Sequence, residues 1–503
     1  MPMMNSFVPR RMQPWIYLCI AIIFQLTGLL YMGSMSQMAG EMNLMREDIL
    51  MITFCNVVGV NMPFPFLFRM KFRFTNRQLL LNAAIIIAIC NIIAIHTTFV
   101  PLLCLLSYIA GYFKLCGTFE CASNIQLWMT PKRDFRIFFP LLYIIVLGDI
   151  SLSSFLSGEL TYISGSWKMM NILIIGLLLI VILFVYTCTH NFRFMKPMLF
   201  ISLDWLGCLL WSALMIEIIF LFNYGEYYNW TDGAVWRIVA FSFPITLILC
   251  IGRMLNIHHP FIAPECFCYK KLFPLLGMFV VAEMINATGN TLFTPFASGV
   301  LGYGYLTQAH FNFVAWLGTV CGCLFTFWWL NILKQKYTRL LTVGILGMLV
   351  YLAYMYFIIS PDINIEKLYL PIILRNAGYA IFFTTLTVYL EELMPFQHFF
   401  MGLTITGFIR NGVCDSICSG CFSHGLKYHI LDNINRWSWI YPFDPAQTLM
   451  VSIKQMFGYC CMFGTILLLF FMLWDIQPIR STVKKIPYWN IVGKAMRKAM
   501  RRR

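Results

Sequence analysis

The chain has 503 residues, of which 60% are hydrophobic and only 11% charged, with a net charge of +15. Soluble domains carry about a quarter charged residues, so this sequence cannot cover a globule of its size with polar surface. No G-x-x-x-x-G-K-S/T phosphate loop occurs, which excludes a nucleotide-driven engine of that type.

Fourteen apolar stretches are each long enough to cross, as a helix, a hydrocarbon core about 30 Å thick. They run over 15–35, 49–68, 78–97, 100–128, 136–158, 168–188, 200–222, 234–254, 271–293, 311–333, 339–360, 368–390, 397–422 and 454–475. A lipid-exposed backbone must satisfy its own hydrogen bonds, which leaves helices or a closed barrel. The run from Asn171 to Tyr186 is continuously apolar and does not alternate as a barrel strand does. The predicted class is therefore an all-α polytopic membrane protein. The first stretch begins at Trp15, has span length and lacks a small-residue cleavage site, so it reads as the first helix rather than a cleaved leader.

Basic residues sit at the edges of these stretches. With the N-terminus placed in the cytoplasm, 26 Lys and Arg fall on the cytoplasmic side, among them Arg69, Lys71, Arg73, Arg77 and nine in the tail. Seven fall outside. That asymmetry predicts both termini in the cytoplasm of a cell inner or plasma membrane. It also explains the positive charge without nucleic acid. The tail 476–503, with Arg497, Lys498 and Arg501–Arg503, reads either as lying against anionic headgroups or as a plain topological anchor. The segment from Ser423 to Ser452 is predicted as the longest outer loop.

Most of the 18 cysteines lie within spans, where a thiol behaves as a small soft apolar group. Cys418-Ser-Gly-Cys421 has no matching second pair. His258, His259, Cys266 and Cys268 in a water-facing loop make a better zinc candidate. Otherwise no metal or cofactor is expected.

Several segments, in order, resemble the major facilitator superfamily, specifically its fourteen-span drug:proton antiporters of the EmrB/QacA type. Leu203-Asp204-Trp205-Leu206-Gly207 and Tyr224-Gly225-Glu226 are similar to that family's inserted helices, and His259-Pro260 to its following linker. Leu374-Arg375-Asn376-Ala377-Gly378 and Arg410-Asn411 resemble segments of its later helices. Ser157-Gly158 with Ser166-Trp167-Lys168 resembles the end of its antiporter motif. Asp204, Gly207, Gly158 and Trp167 are thus the family-motif residues. Four features depart from the pattern: the 69–77 loop lacks its Gly and Asp, the fifth helix lacks its motif proline, the first helix lacks its usual acidic residue, and Lys114 stands near where an Arg is usual.

The resemblance implies a six-helix bundle over 1–190, a linker with two inserted helices over 191–265, and a second six-helix bundle over 266–475. It places the substrate at the bundle interface, with the first, fourth, ninth and twelfth spans lining the cavity. It implies proton-coupled export of lipophilic or amphipathic small molecules, with protons and lipids as partners. In a double-membrane host it further implies a periplasmic adaptor and an outer-membrane channel.

Ionisable groups within spans are costly and default to functional candidates. Glu120, Glu283 and Asp149 are the proton-coupling candidates; Lys114, Arg375 and Arg410 are cavity cations or ion-pair partners. Counting depth at about 1.5 Å per residue brings Lys114 level with Asp149 and Glu283 level with Arg410, so each couple could equally be a structural pair. Glu217 and Asp415 lie nearer the outer face. The excess of embedded acids over bases tilts the expected cargo toward cationic or neutral compounds. Alternatives on the same fold are import of a solute or movement of a lipid precursor. A membrane enzyme using Glu391 and Glu392 near His398, or a scaffold without transport, is a different class.

Overall fold

The computed structural model describes residues 4–5, 8–9, 11–130, 134–191, 203–437 and 445–473. The tail 476–503, the basic residues Lys132, Arg133, Arg193 and Lys196, and the tip of the expected outer loop lie outside the described residues. The described chain is helical throughout, with one isolated bridge between Met4 and Thr189. Its first half comprises α1 (Gln13–Leu26), α2 (Met35–Met42), α3 (Arg46–Asn61), α4 (Leu67–Arg73), α5 (Asn76–His96), α6 (Val100–Met129), α7 (Phe135–Ser164) and α8 (Lys168–Cys188). Two helices follow, α9 (Trp205–Asn223) and α10 (Ala234–Asn256). The second half comprises α11 (Leu272–Thr288), α12 (Tyr305–Trp328), α13 (Tyr337–Ile358), α14 (Glu366–Leu393), α15 (Phe396–Gly407), α16 (Asp415–Trp437) and α17 (Pro445–Leu473).

Among the described residues, eleven helices are long and apolar enough to cross a membrane. Three further predicted spans are also helical but differ in form. The first is broken: α1 stops at Leu26, and the chain is extended at Thr27 before it coils again. Gly28 sits at the break, where its amide donates to the Tyr31 hydroxyl at 2.8 Å. The twelfth, α14, spans 28 residues although it carries Arg375, Glu391 and Glu392. The thirteenth runs on as α15, a π-helical segment Phe408–Cys414, and α16.

The expected outer loop 423–452 is corrected by this helix. Ser423–Trp437 belongs to α16, and α17 already starts at Pro445. Hydropathy ends a span where Lys427, Asp432 and Arg436 begin, but backbone hydrogen bonding does not stop at the edge of the hydrocarbon. Arg436 and Asp432, one turn apart, pair at 3.0 Å on its surface.

Within the first half, α6 packs on α1, α3 and α5, and α8 on α5 and α7. Within the second, α14 packs on α11, α12 and α13, and α17 on α13 and α16. The halves meet along α7 and α12, while α9 lies against both α3 and α16. By contrast α10 packs mainly on α9, and its apolar Ile238, Phe241, Ile245 and Ile248 are exposed, as suits a lipid-facing helix.

Close helix crossings rest on small residues, the usual device where lipid offers no hydrophobic drive. A Cβ on Gly59 of α3 would stand 2.1 Å from the Tyr108 carbonyl oxygen, and one on Gly111 of α6 would stand 2.1 Å from that of Asn56. Gly59→Val should therefore force α3 and α6 apart, at a cost of about 1–3 kcal/mol or more. Gly176 on α8 has open space around it, so Gly176→Val should be neutral. Size-exclusion profiles and melting temperatures of both variants in detergent check this, and equal behaviour would contradict the described crossing.

Candidate functional site

Three charge groups lie inside the bundle, and each is built from two or more helices. In the first half, Lys114 at the middle of α6 meets Asp149 at the middle of α7, with Nζ to Oδ2 at 3.1 Å. The same ammonium donates to the Thr27 carbonyl oxygen at 2.9 Å. Thr27 is where α1 breaks, so Lys114 satisfies a carbonyl that the interrupted helix leaves open. Broken helices at membrane depth are tolerated where such groups are buried in protein or face a cavity.

Nearer the end of α6, Glu120 is 2% exposed and pairs with Lys71 of α4 at 3.4 Å. Lys71 also donates to the Ser123 hydroxyl. Sequence reasoning placed Lys71 in a loop at the membrane edge and missed this partner. The available signal was Pro63-Phe-Pro65, which continues α3 through a short 3-10 turn into α4, so that Lys71 lies on a helix and not in a loop.

The second half holds the densest group. Glu283 of α11 accepts from Arg410 Nε at 2.9 Å and from the Tyr379 hydroxyl at 2.5 Å. Arg410 Nε also reaches the Tyr379 oxygen at 2.9 Å, and its guanidinium lies 4.1 Å from the centre of the Phe383 ring. Arg375, Tyr379 and Phe383 recur every four residues on α14 and so share one face. Arg410 sits in the π-helical segment Phe408–Cys414, and a second such segment, Gly289–Phe293, continues α11. Such distortions mark functional positions more often than chance. Asp415 shares the field of Glu283 and Arg410. The structure thus brings together both couples that depth suggested, Lys114 with Asp149 and Glu283 with Arg410. Arg375 stands apart from both.

The remaining motif residues are structural anchors. Asp204 caps α9 by accepting from the Gly207 amide at 2.9 Å. It also accepts from Arg253 of α10 at 2.7 Å and from the Phe261 amide at 3.1 Å, tying α9 and α10 to the segment that follows them. A Cβ on Gly207 would stand 2.1 Å from Asp204 Oδ2. One on Gly158 would stand 2.5 Å from Ala309 Cβ, where α7 crosses α12. Trp167 is buried at the start of α8, with Lys168 over its ring at 5.9 Å. Glu217 accepts from Ser242 and Thr246 of α10 at 2.9 and 3.0 Å.

Two other candidates are not assembled. His258 and His259 pack against one another, and Cys266 is buried near Met401. Among the described residues no three His, Cys, Asp or Glu gather as a metal site would require. Likewise Glu392 pairs with Arg136 at 2.5 Å, while His398 meets the Tyr269 hydroxyl at 3.3 Å, so no His–carboxylate pair forms there.

The halves are tied at both ends. At the end that carries Gln13 and Arg69, Arg136 of α7 meets Glu392, which also accepts from Tyr337 at 2.5 Å. Beside them Phe68 and Phe119 interlock with Phe396 and Phe400, the closest centroids 4.6 Å apart. At the opposite end Glu159 meets His310 at 2.7 Å. There Glu226, in the turn after α9, accepts from His424 and Lys427 of α16 at 2.6 and 3.0 Å. Partial burial works against its charge, yet the hydrogen bonds from Lys427, Trp230 and His424 outweigh it and hold the carboxyl below the ordinary glutamate range. A depressed carboxyl favours the folded state above its unfolded pKa and loses that contribution as pH falls through the folded one.

No family model matches the chain, and no curated relative matches it in sequence. Solved structures do match in fold. The crystal structure of the nucleoside transporter NupG is similar at a TM-score of 0.54 and 12% identity, over 92% of this chain and 99% of that one. A point mutant of the same transporter is similar at 0.52 and 13%, over 91% and 99%. At such identities the likeness is one of fold, and that fold is of the major facilitator kind. The narrower resemblance to the EmrB/QacA type gains nothing from these comparisons.

Because Lys114 and Asp149 are each other's counter-charge, Asp149→Asn should strand a buried cation and cut folded yield, a loss of about 3–5 kcal/mol. Lys114→Met with Asp149→Leu should recover more folded protein than either single change. Additive losses across this cycle, read by fluorescence-detected size exclusion, would show that the two do not interact.

Proposed function

We propose that this chain is a secondary active transporter with fourteen spans and both termini cytoplasmic. Residues 1–190 and 266–475 form its two rocking bundles, and α9 and α10 are inserted between them. The observation that carries the reading is the buried Glu283–Arg410–Tyr379 group, with Arg410 in a π-helical segment, in a fold shared with a transporter. Folds of this kind place their substrate near the midplane, where two bundles meet.

Glu283 is the group best placed to couple protons. Its carboxylate is stabilised by one guanidinium and one hydroxyl, and protonation would release both. Arg410 and Tyr379 would then be free to bind a polar group of the cargo. Proton and cargo therefore compete for the same partners, and that competition links the two fluxes. Asp149 and Glu120 belong to the same proposal as secondary sites, since each also pairs with one cation.

Export of lipophilic compounds rests on the sequence resemblance alone, as do an adaptor and an outer-membrane channel. A second reading, uptake of a polar solute, is favoured by the neighbours named as nucleoside transporters. It also suits the polar Asn286 and exposed Asn290 on the helix that carries Glu283.

Solute-induced proton movement in proteoliposomes, with uridine as the first solute, tests the coupling. Glu283→Gln should lower gradient-driven accumulation about tenfold or more while exchange persists, the size of a typical coupling energy. Undiminished accumulation would remove Glu283 from the mechanism. For topology, a cysteine at the exposed Lys336 should label only from the cytoplasm, and one at the exposed Asp362 only from outside. An impermeant maleimide on intact cells, in a cysteine-depleted background, reads both, and external labelling at 336 would refute the assigned orientation.

A further inference from the structure

Arg375 differs from the other cations inside the bundle. Lys71, Lys114, Arg253 and Arg410 each face a carboxylate. Among the described residues none pairs with Arg375, and its Nε is buried without an acceptor. What it does have is Tyr351, whose ring centre lies 5.7 Å from the guanidinium and whose hydroxyl it hydrogen-bonds, neither of which supplies a counter-charge. A cation–π contact contributes about 0.5–2 kcal/mol, less than the several kcal/mol that an unpaired ion in a low-dielectric interior costs.

The backbone is shaped around this cation. A Cβ on Gly289 would stand 1.2 Å from one terminal nitrogen of Arg375, so only glycine lets the guanidinium seat there. Gly289 opens the π-helical segment of α11, where Asn290 is exposed although it lies within a predicted membrane-crossing helix. Polar side chains at that depth belong to a water-filled space more readily than to lipid. On α14, Arg375 stands one turn from Tyr379, and so one turn from the Glu283 group.

We infer that Arg375, seated on Gly289 and Tyr351, binds an oxyanion of the transported solute, a carboxylate or a phosphate. This rests on the transporter reading and deepens it, because it assigns the cargo a negative group. It also reverses the tilt toward cationic cargo drawn from counting embedded acids. Glu120, Asp149 and Glu283 are already neutralised by Lys71, Lys114 and Arg410, while Glu217 accepts from two hydroxyls on one oxygen and keeps the other buried without a partner. Asp415 lies in the field of Arg410 and Glu283. Among the described residues Arg375 is the cation inside the bundle that no carboxylate faces. The planar guanidinium fork suits bidentate contact with such a group.

The test uses full-length protein in lipid-depleted detergent, with inorganic phosphate and benzoate as probes and phenylglyoxal as the arginine reagent. Mass spectrometry reads the modification at Arg375. Modification should slow about tenfold once a probe exceeds its dissociation constant about tenfold, and benzamide, the neutral isostere of benzoate, should not protect. No modification at Arg375, or modification that neither probe slows, would overturn the proposal. Protection by added phosphatidylglycerol but by neither probe would assign the site to a lipid headgroup and overturn it equally.

Arg375→Met supplies an independent reading. Without a carboxylate to strand, it should melt no lower than the parent in the absence of anions, and it should lose the stabilisation that phosphate gives. Arg410→Met, which strands Glu283, should melt lower. A destabilised Arg375→Met that keeps its phosphate response would show a structural role instead. These are binding measurements. Protection at Arg375 with no flux of any solute would leave the site and remove the transporter reading, and flux without protection would do the reverse.

Discussion

A hydrocarbon interior solvates an ion poorly, and most charges inside this bundle meet a counter-charge from another helix. Nearly all the internal architecture follows from that constraint. Lys114 brings together α6, α7 and the broken end of α1. Glu283 gathers α11, α14 and the π-helical segment after α15. Asp204 holds α9, α10 and the segment that follows. Such pairs add little net stability, because desolvation consumes most of the Coulomb gain. Their effect is on register: a helix that slides or turns by a fraction of a turn leaves two ions unpaired, which costs far more than any apolar misfit.

The same constraint explains part of where the backbone departs from regular helix. The break at Thr27 exposes a carbonyl, and Lys114 takes it up. Of the described π-helical segments, Gly289–Phe293 and Phe408–Cys414 lie beside charged groups, while Phe296–Val300 and Trp329–Leu333 carry no charged residue. An inserted residue in a helix re-aims the side chains beyond it.

Ties between the halves have a different character. The Glu159–His310 contact is substantially exposed, with the histidine side chain 53% accessible, and exposed pairs contribute only about 0–1 kcal/mol. The aromatic cluster of Phe68, Phe119, Phe396 and Phe400 is apolar and directionless, so it can separate and re-form without stranding a polar group. α9 adds a third contact surface, because it touches both α3 and α16.

Composition and hydropathy by themselves determined the class, the helical state and the approximate place of each membrane-length segment, since 20 apolar residues in a row have few other fates. They also put Lys114 level with Asp149 and Glu283 level with Arg410, because depth in a membrane helix is simply a residue count. Depth is one coordinate, and a side chain's azimuth is another. Only the packed structure decided that Glu120 turns to Lys71 rather than to an open cavity, that Tyr379 completes the Glu283 group, and that Arg375 seats on Gly289 with no carboxylate. It alone showed that α16 continues past Ser423, where hydropathy had drawn a loop. Rotation about a helix axis is set by which neighbouring helix presents the matching charge or the missing Cβ, and those neighbours lie up to a hundred or more residues away in the chain, as Glu283 and Arg410 do. No local pattern carries that information; it exists only once the helices are assembled.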